Sequence, residues 1–141
     1  MSIKGTITLP GDKSLSHRAL IFAAMSNGES QILNLSNGSD VISTRDCLEH
    51  CGIEIFDNGD TTFIRGGEFT DPIVDLNCGN SGTTTRLLLG LLAGKGINAR
   101  FVGDQSLSSR PMDRILNPLA QMGLRSKSND GKLPISIFKS D

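Results

Sequence analysis

Residues 9–18, LPGDKSLSHR, place a lysine, two serines, a histidine and an arginine straight after a Pro-Gly corner, and the next seven residues, ALIFAAM, are apolar. Such a segment reads as a helix whose polar chemistry is gathered at its amino end. A helix amino end presents unpaired backbone N–H groups and about half a positive charge. Edged by glycine, it receives anions. Lys13 adds a point charge, Ser14 and Ser16 add hydroxyl donors, and Arg18 stands one turn further on the Ser14 face, where it can fork onto a carboxylate or phosphate. A second mouth of the same kind follows at residues 79–88, GNSGTTTRLL, where Asn80, Ser81, Gly82, Thr83 and Thr84 precede Arg86 and an apolar run. A third stretch, GDQSLSSRPMDRI, contributes Arg110 just before a helix start and Arg114 one turn beyond it.

Taken singly, these residues keep structural readings beside the functional one. Lys13 also fits a solvated loop lysine, Ser14 a helix N-cap, and Arg86 a tie between helices. Arg114 and His17 read as surface or supporting groups. Two basic, hydroxyl-rich mouths in a chain of net charge −1 are what favour an anion receptor. Other chemistries fail on spacing. A phosphate-binding P-loop requires glycine where Ile7 and Asp12 stand, and a nucleophile elbow on Ser81 requires one where Thr83 stands. Ser14 and His17 lack a carboxylate to orient the imidazole, and no dinucleotide fingerprint is present.

The elements that must position these groups follow from periodicity. Residues 3–9 alternate as a strand, 14–26 form a helix ending at Asn27-Gly28, and 31–35 form a short strand. A turn at SNGSD offers Ser39 or Asp40 as the cap of an amphipathic helix over 40–51, which places Val41, Thr44, Cys47, Leu48 and Cys51 on one side. Two strands then flank Asp57-Asn58-Gly59-Asp60, a hairpin signal. The β-α-β-α-β-β order recurs: a strand at 73–77, an apolar helix at 81–94, a strand in INARFVGD, one capped helix over SLSSRPMDRILNPLAQMG, and a hairpin around Asn129-Asp130-Gly131. Pro118 is expected to remove a hydrogen bond from that last helix and kink it.

A shift of 68 sets Gly11 on Gly79, Ser14 on Gly82, Arg18 on Arg86 and Gly28 on Gly96. Beyond the extra residues of the GDQSLSSRP loop, a shift of 71 sets Cys51-Gly52-Ile53 on Met122-Gly123-Leu124. The chain thus reads as two copies of one unit, about 1–70 and about 71–141. The first helix of each copy is apolar all round. Both are therefore expected to be central and roughly parallel, opening on one side, with the amphipathic helices and the sheets outside them. The fold class is α/β.

Composition narrows the partners. With 37% apolar and 21% charged residues, the chain matches an ordinary globular domain. The charge balance and the lack of Trp and Tyr argue against nucleic acid and anionic membrane surfaces. Cys47, Cys51 and Cys78 are odd in number and lack a CxxC spacing, which points to buried reduced thiols. A metal pair completed by His50 has no further ligand cluster. No signal-peptide core or apolar run of about 18–20 residues is present, and a cytoplasmic protein is expected.

LPGDKSLSHR, GNSGTTTRLL and GDQSLSSRPMDRI, in this order and spacing, closely resemble the N-terminal part of the 5-enolpyruvylshikimate-3-phosphate (EPSP) synthase family, from about residue 3 to at least 125. The resemblance implies transfer of the enolpyruvyl group of phosphoenolpyruvate to the 5-hydroxyl of shikimate 3-phosphate with release of phosphate, a step toward chorismate and the aromatic amino acids. It implies no metal or organic cofactor. By motif, Lys13 would contact both substrates and act in catalysis. Ser14 and Arg18 would hold shikimate 3-phosphate. Asn80, Gly82 and Arg110 would hold phosphoenolpyruvate, with the herbicide glyphosate competing near Gly82. The related UDP-N-acetylglucosamine enolpyruvyl transferases share the architecture but are expected to carry a different first motif.

The family fold has two domains of three such units with buried parallel helices, and only two units are present here. A third unit, an opposing domain, a later serine-glutamine motif and the proton-transferring acids and lysine are missing from these residues. The chain is therefore expected to be a fragment, inactive alone, whose apolar helix flanks offer a surface for self-association. A non-catalytic anion-binding module is the alternative.

Overall fold

The computed structural model describes residues 3–139. Helix α1 (Lys13–Met25) begins after Asp12, whose side chain caps it. Strand β1 (Gly28–Leu33), helix α2 (Ser39–His50) and strands β2 (Glu54–Asn58) and β3 (Thr61–Gly66) follow. The second half runs β4 (Leu76–Asn77), α3 (Gly82–Lys95), β5 (Ala99–Val102), α4 (Gln105–Ser108), α5 (Asp113–Gln121), β6 (Arg125–Asn129) and β7 (Lys132–Phe138).

The strands form two sheets, ordered β1-β3-β2 and β4-β5-β7-β6. The order β1-β3-β2 matches β5-β7-β6, so the repeat read in the sequence is also a repeat of topology. The helix ends agree: the Gly52 and Gly123 amides each donate 3.0 Å back, to the carbonyls of Glu49 and Ala120, both with positive φ (90° and 99°), a left-handed helix stop that glycine adopts without strain. One apolar core joins the halves, with Leu20, Leu48, Ile64, Leu88, Leu92, Phe101 and Ile135 fully buried.

Several expectations are corrected. Residues 3–9 form no strand, and Ile3, Ile7 and Leu9 are exposed. Alternation alone makes no strand without a ladder partner. The place beside β1 that β4 fills beside β5 stays open among the described residues. The strand expected at 73–77 shrinks to its last two residues. The cap of α2 is Gly38, without a side-chain bond, rather than Ser39 or Asp40. The helix expected in SLSSRPMDRILNPLAQMG with Pro111 in its first turn starts two residues later, at Asp113, and a separate short helix, α4, precedes it, because Pro111 disfavours helical backbone at Arg110. Helix α5 runs through Pro118 to Gln121.

The first helices are not covered all round either. Along α1 the stripe Leu15, Phe22 and Met25 is exposed, Phe22 to 66%, and on α3 Leu87 is 39% exposed. The elements present pack only one face of each helix. Helix α2 does not lie simply outside them, because it packs against both α1 and α3.

Gly66 fixes the end of α1 against β3: a Cβ there would overlap the carbonyl oxygens of Ala23 and Ser26, whereas one on Gly90 of α3 meets open space. Gly66→Ala should therefore cost about 2–3 kcal/mol in urea unfolding, while Gly90→Ala should gain up to about 1 kcal/mol.

Candidate functional site

At the start of α1 the Asp12 carboxylate accepts the Leu15 amide at 2.8 Å, so Ser14 is not the cap and stays on the exposed face. Arg18 curls back along its own helix, its Nε donating to the Ser14 carbonyl at 3.2 Å. Lys13 Nζ donates to Asp40 Oδ2 of α2 at 3.0 Å. Ser16 does not face outward as expected. It is buried, and its Oγ accepts the Ser36 amide at 3.0 Å.

At the start of α3 the Ser81 hydroxyl accepts the Thr84 amide at 3.0 Å, and both residues are buried rather than lining the mouth. Gly82 opens the helix. A Cβ placed on it would stand 2.7 Å from Arg86 Nη1 and 3.6 Å from Arg110 Nη1, so two guanidinium groups gather over the one residue with no side chain. Arg110 is held in place: its Nη2 donates to Asn80 Oδ1 at 2.8 Å and to Ser106 Oγ at 3.2 Å, and its Nη1 to the Asn80 carbonyl at 3.3 Å. Asn80 Nδ2 in turn donates to both Asp104 oxygens at 2.8 and 3.0 Å. The Leu107 amide, followed by Asn80, holds the Asp104 carboxyl below the usual carboxylate range.

The two mouths are tied together. His17 Nδ1 lies 2.8 Å from Thr44 Oγ1 of α2, which lies 2.7 Å from Thr84 Oγ1 of α3. Thr84 Oγ1 also donates to the Asp40 carbonyl at 3.1 Å. The first turns of α1 and α3 therefore meet at one end of the molecule, with the start of α2 between them. Lys13, Ser14 and Arg18 form one group and Asn80, Gly82 and Arg110 the other, linked through Asp40. Arg114 lies on the exposed face of α5.

Arg86, which also fits a tie between helices, leans over Gly82, and Asp40, a cap candidate in the sequence, pairs with Lys13 instead. The signal for Arg86 was the repeat itself, which aligns it with Arg18. The signal for Asp40 was an acid in the first turn of a helix, where the dipole favours it. His17 is buried, 1% exposed, not a surface group.

The three thiols are buried and free. Burial pushes Cys51 up to about 12. Cys47 is raised as well, by its hydrogen bond to Cys78 and by burial. No group of three or more metal-ligating side chains forms among the described residues, and no helix among them is long and apolar enough to cross a membrane.

The family model described as EPSP synthase (3-phosphoshikimate 1-carboxyvinyltransferase) matches residues 1–140. A 3-phosphoshikimate 1-carboxyvinyltransferase of Oenococcus oeni is 48% identical over 140 residues, covering 96% of this chain and 32% of the relative. That of Streptococcus suis is 48% identical over 143 residues, covering 99% and 34%. The solved EPSP synthase of Acinetobacter baumannii superposes with a TM-score of 0.88 at 36% identity, over 95% of this chain and 32% of that one. The chain thus spans about a third of the length of the relatives it matches.

Two outcomes follow from the geometry. Gly82→Ala should leave stability within about 1 kcal/mol but weaken inorganic phosphate binding, read by titration calorimetry, about three- to tenfold, the worth of one displaced hydrogen bond. In an Arg86→Ala background the same change should add little.

The second outcome concerns pH. Burial lowers the His17 pKa, against an upward pull from Asp40 and with a further downward push from Lys13. Unfolded, the imidazole takes a proton near pH ~6.5, whereas folded it does so only at lower pH. Stability should be intact above about pH 6.5 and fall as the pH drops through the window below it. His17→Asn should flatten the urea midpoint across that window, leaving the separate acid loss, near pH ~4, of carboxylates held low such as Asp57 and Asp104.

Proposed function

The chain belongs to the EPSP synthase family, and on that premise we propose that its converging helix starts form the anion-receiving part of a 3-phosphoshikimate 1-carboxyvinyltransferase. The reaction adds the 5-hydroxyl oxygen of shikimate 3-phosphate to C2 of phosphoenolpyruvate as C3 takes a proton. The tetrahedral adduct then loses phosphate and a C3 proton to leave the enolpyruvyl ether. Both substrates are multiply anionic, so the work of these residues is orientation and stabilisation of charge on carboxylate and phosphate through that adduct.

Ser14 and Arg18 hold shikimate 3-phosphate. Asn80, Gly82 and Arg110 hold phosphoenolpyruvate, and glyphosate competes there. Lys13 contacts both substrates. For that, Lys13 must exchange Asp40 for ligand, while Arg110 is already oriented by Asn80 and Asp104. The observation that supports this best is the meeting of the first turns of α1 and α3 across Asp40. It puts both cationic groups at one end of the fold.

We assign residues of about 1–70 and about 71–141 to two repeat units of one partial domain. The exposed stripe Leu15–Phe22–Met25 is the flank that the remainder of such a domain covers, and it would drive self-association when left bare. Proton transfer belongs to groups outside this chain. The three buried, free thiols fit a reducing cytoplasm.

The test is binding. Shikimate 3-phosphate should raise the melting temperature of the isolated chain, and Arg18→Ala should weaken its affinity about ten- to hundredfold, as loss of a charge-assisted contact does. No melting shift with the native chain would overturn the assignment. Product formation by the chain alone, from both substrates, would overturn the division of labour.

A further inference from the structure

One buried titratable side chain has no part in receiving the anion. His17 stands at the α1 end of the hydrogen-bonded chain that joins α1, α2 and α3, and its Nε2 is the one buried side-chain nitrogen or oxygen without a partner among the described residues. Thr44 and Thr84, its continuation, are both fully buried.

Proton counting sets the direction of this chain. Each threonine hydroxyl has a single hydrogen to give, and the Asp40 carbonyl can only accept. The Thr84 hydrogen has two acceptors outside the His17–Thr44 pair, Ser81 Oγ at 2.7 Å and the Asp40 carbonyl at 3.1 Å. If Thr84 gives to either, Thr44 gives to Thr84, His17 Nδ1–H gives to Thr44, and the bare Nε2 lone pair is left over. In the opposite direction Thr44 gives to Nδ1 and Thr84 to Thr44. Thr84 then gives to neither Asp40 nor Ser81, and Nε2 carries a buried N–H with no acceptor. Orphaned buried donors are rarer than orphaned acceptors, and each costs its full desolvation. The first direction is the one that closes.

We propose that His17 is a positioning residue: held as the neutral Nδ1–H imidazole, it directs the Thr44–Thr84 chain that fixes the start of α1, with Lys13, Ser14 and Arg18, against the start of α3, with Gly82 and Arg86. The charged groups acting on the ring are Asp40, from α2, and Lys13, from its own helix. The consequence for substrate rests on the function proposed above. The direction of the chain does not.

The chain has only two histidines, His17 and His50. A long-range nitrogen–proton spectrum of the imidazoles therefore contains two ring systems, and His50→Gln assigns them. At neutral pH His17 should carry its proton on Nδ1, and Thr44→Val should disturb that ring alone. A His17 ring protonated at Nε2, or at both nitrogens, overturns the proposal whatever the binding results.

The second arm is shikimate 3-phosphate affinity by calorimetry. His17→Asn, whose amide N–H reaches the place of Nδ1, should bind within about twofold of the native chain, while His17→Leu and Thr44→Val should weaken binding about tenfold, one net hydrogen bond's worth. A folded His17→Leu or Thr44→Val chain that binds like the native one overturns the positioning role. Should His17→Leu fail to fold, Thr44→Val and the native spectrum decide. If the native chain binds no shikimate 3-phosphate, the functional reading above fails, and the spectrum alone still decides the direction.

Discussion

Polar groups buried away from water need partners, and where α1, α2 and α3 begin that requirement falls on His17, Thr44, Thr84 and Ser81. Their hydrogen bonds run through the interior where α1, α2 and α3 begin. A hydrocarbon contact tolerates sliding by a fraction of an ångström, whereas a hydroxyl chain with one proton per link does not. The apolar core holds the helices together, and the hydroxyl chain sets their register. Everything displayed at the helix starts inherits its placement from that register.

The two mouths are built alike and furnished differently. The repeat aligns Ser14 with Gly82 and Arg18 with Arg86. In the first copy a hydroxyl stands at the helix opening and the arginine folds back on its own helix. In the second, the side chain is missing and the arginine leans over the gap. The extra residues of the second copy add Arg110, braced by Asn80 and Asp104. The two helix mouths thus differ in shape: a hydroxyl stands at the first opening, whereas at the second the bare glycine backbone lies beneath Arg86 and Arg110.

Much of this was legible in the sequence because it depends on neighbours a few residues apart. Helices α1, α2 and α3 and both hairpins follow from periodicity and turn residues, and the strand orders β1-β3-β2 and β5-β7-β6 match in the two halves that the aligned glycines and arginines mark. What was not legible depends on partners far along the chain. Residues 3–9 have the alternation of a strand but no strand beside them. Ser14 and Ser16 look equivalent in sequence, yet the turn of the helix buries one against Ser36 and exposes the other. Helix α2, read as an outer helix from its amphipathic pattern, inserts its first turn between the other two because Thr44 finds hydroxyl partners on the far side. The all-apolar helices suggested full burial, but a pattern reports what a face prefers and not whether a neighbour is present to cover it.

Asp40 gives the site a threshold. The Lys13 ammonium pairs with Asp40 at 3.0 Å, so under the proposed function an anion competes there with a tethered carboxylate. A singly charged ion would gain little by that exchange, whereas a ligand with several negative charges would meet Arg18 and Arg110 as well. The ion pair would thus bias the proposed receptor toward polyvalent ligands.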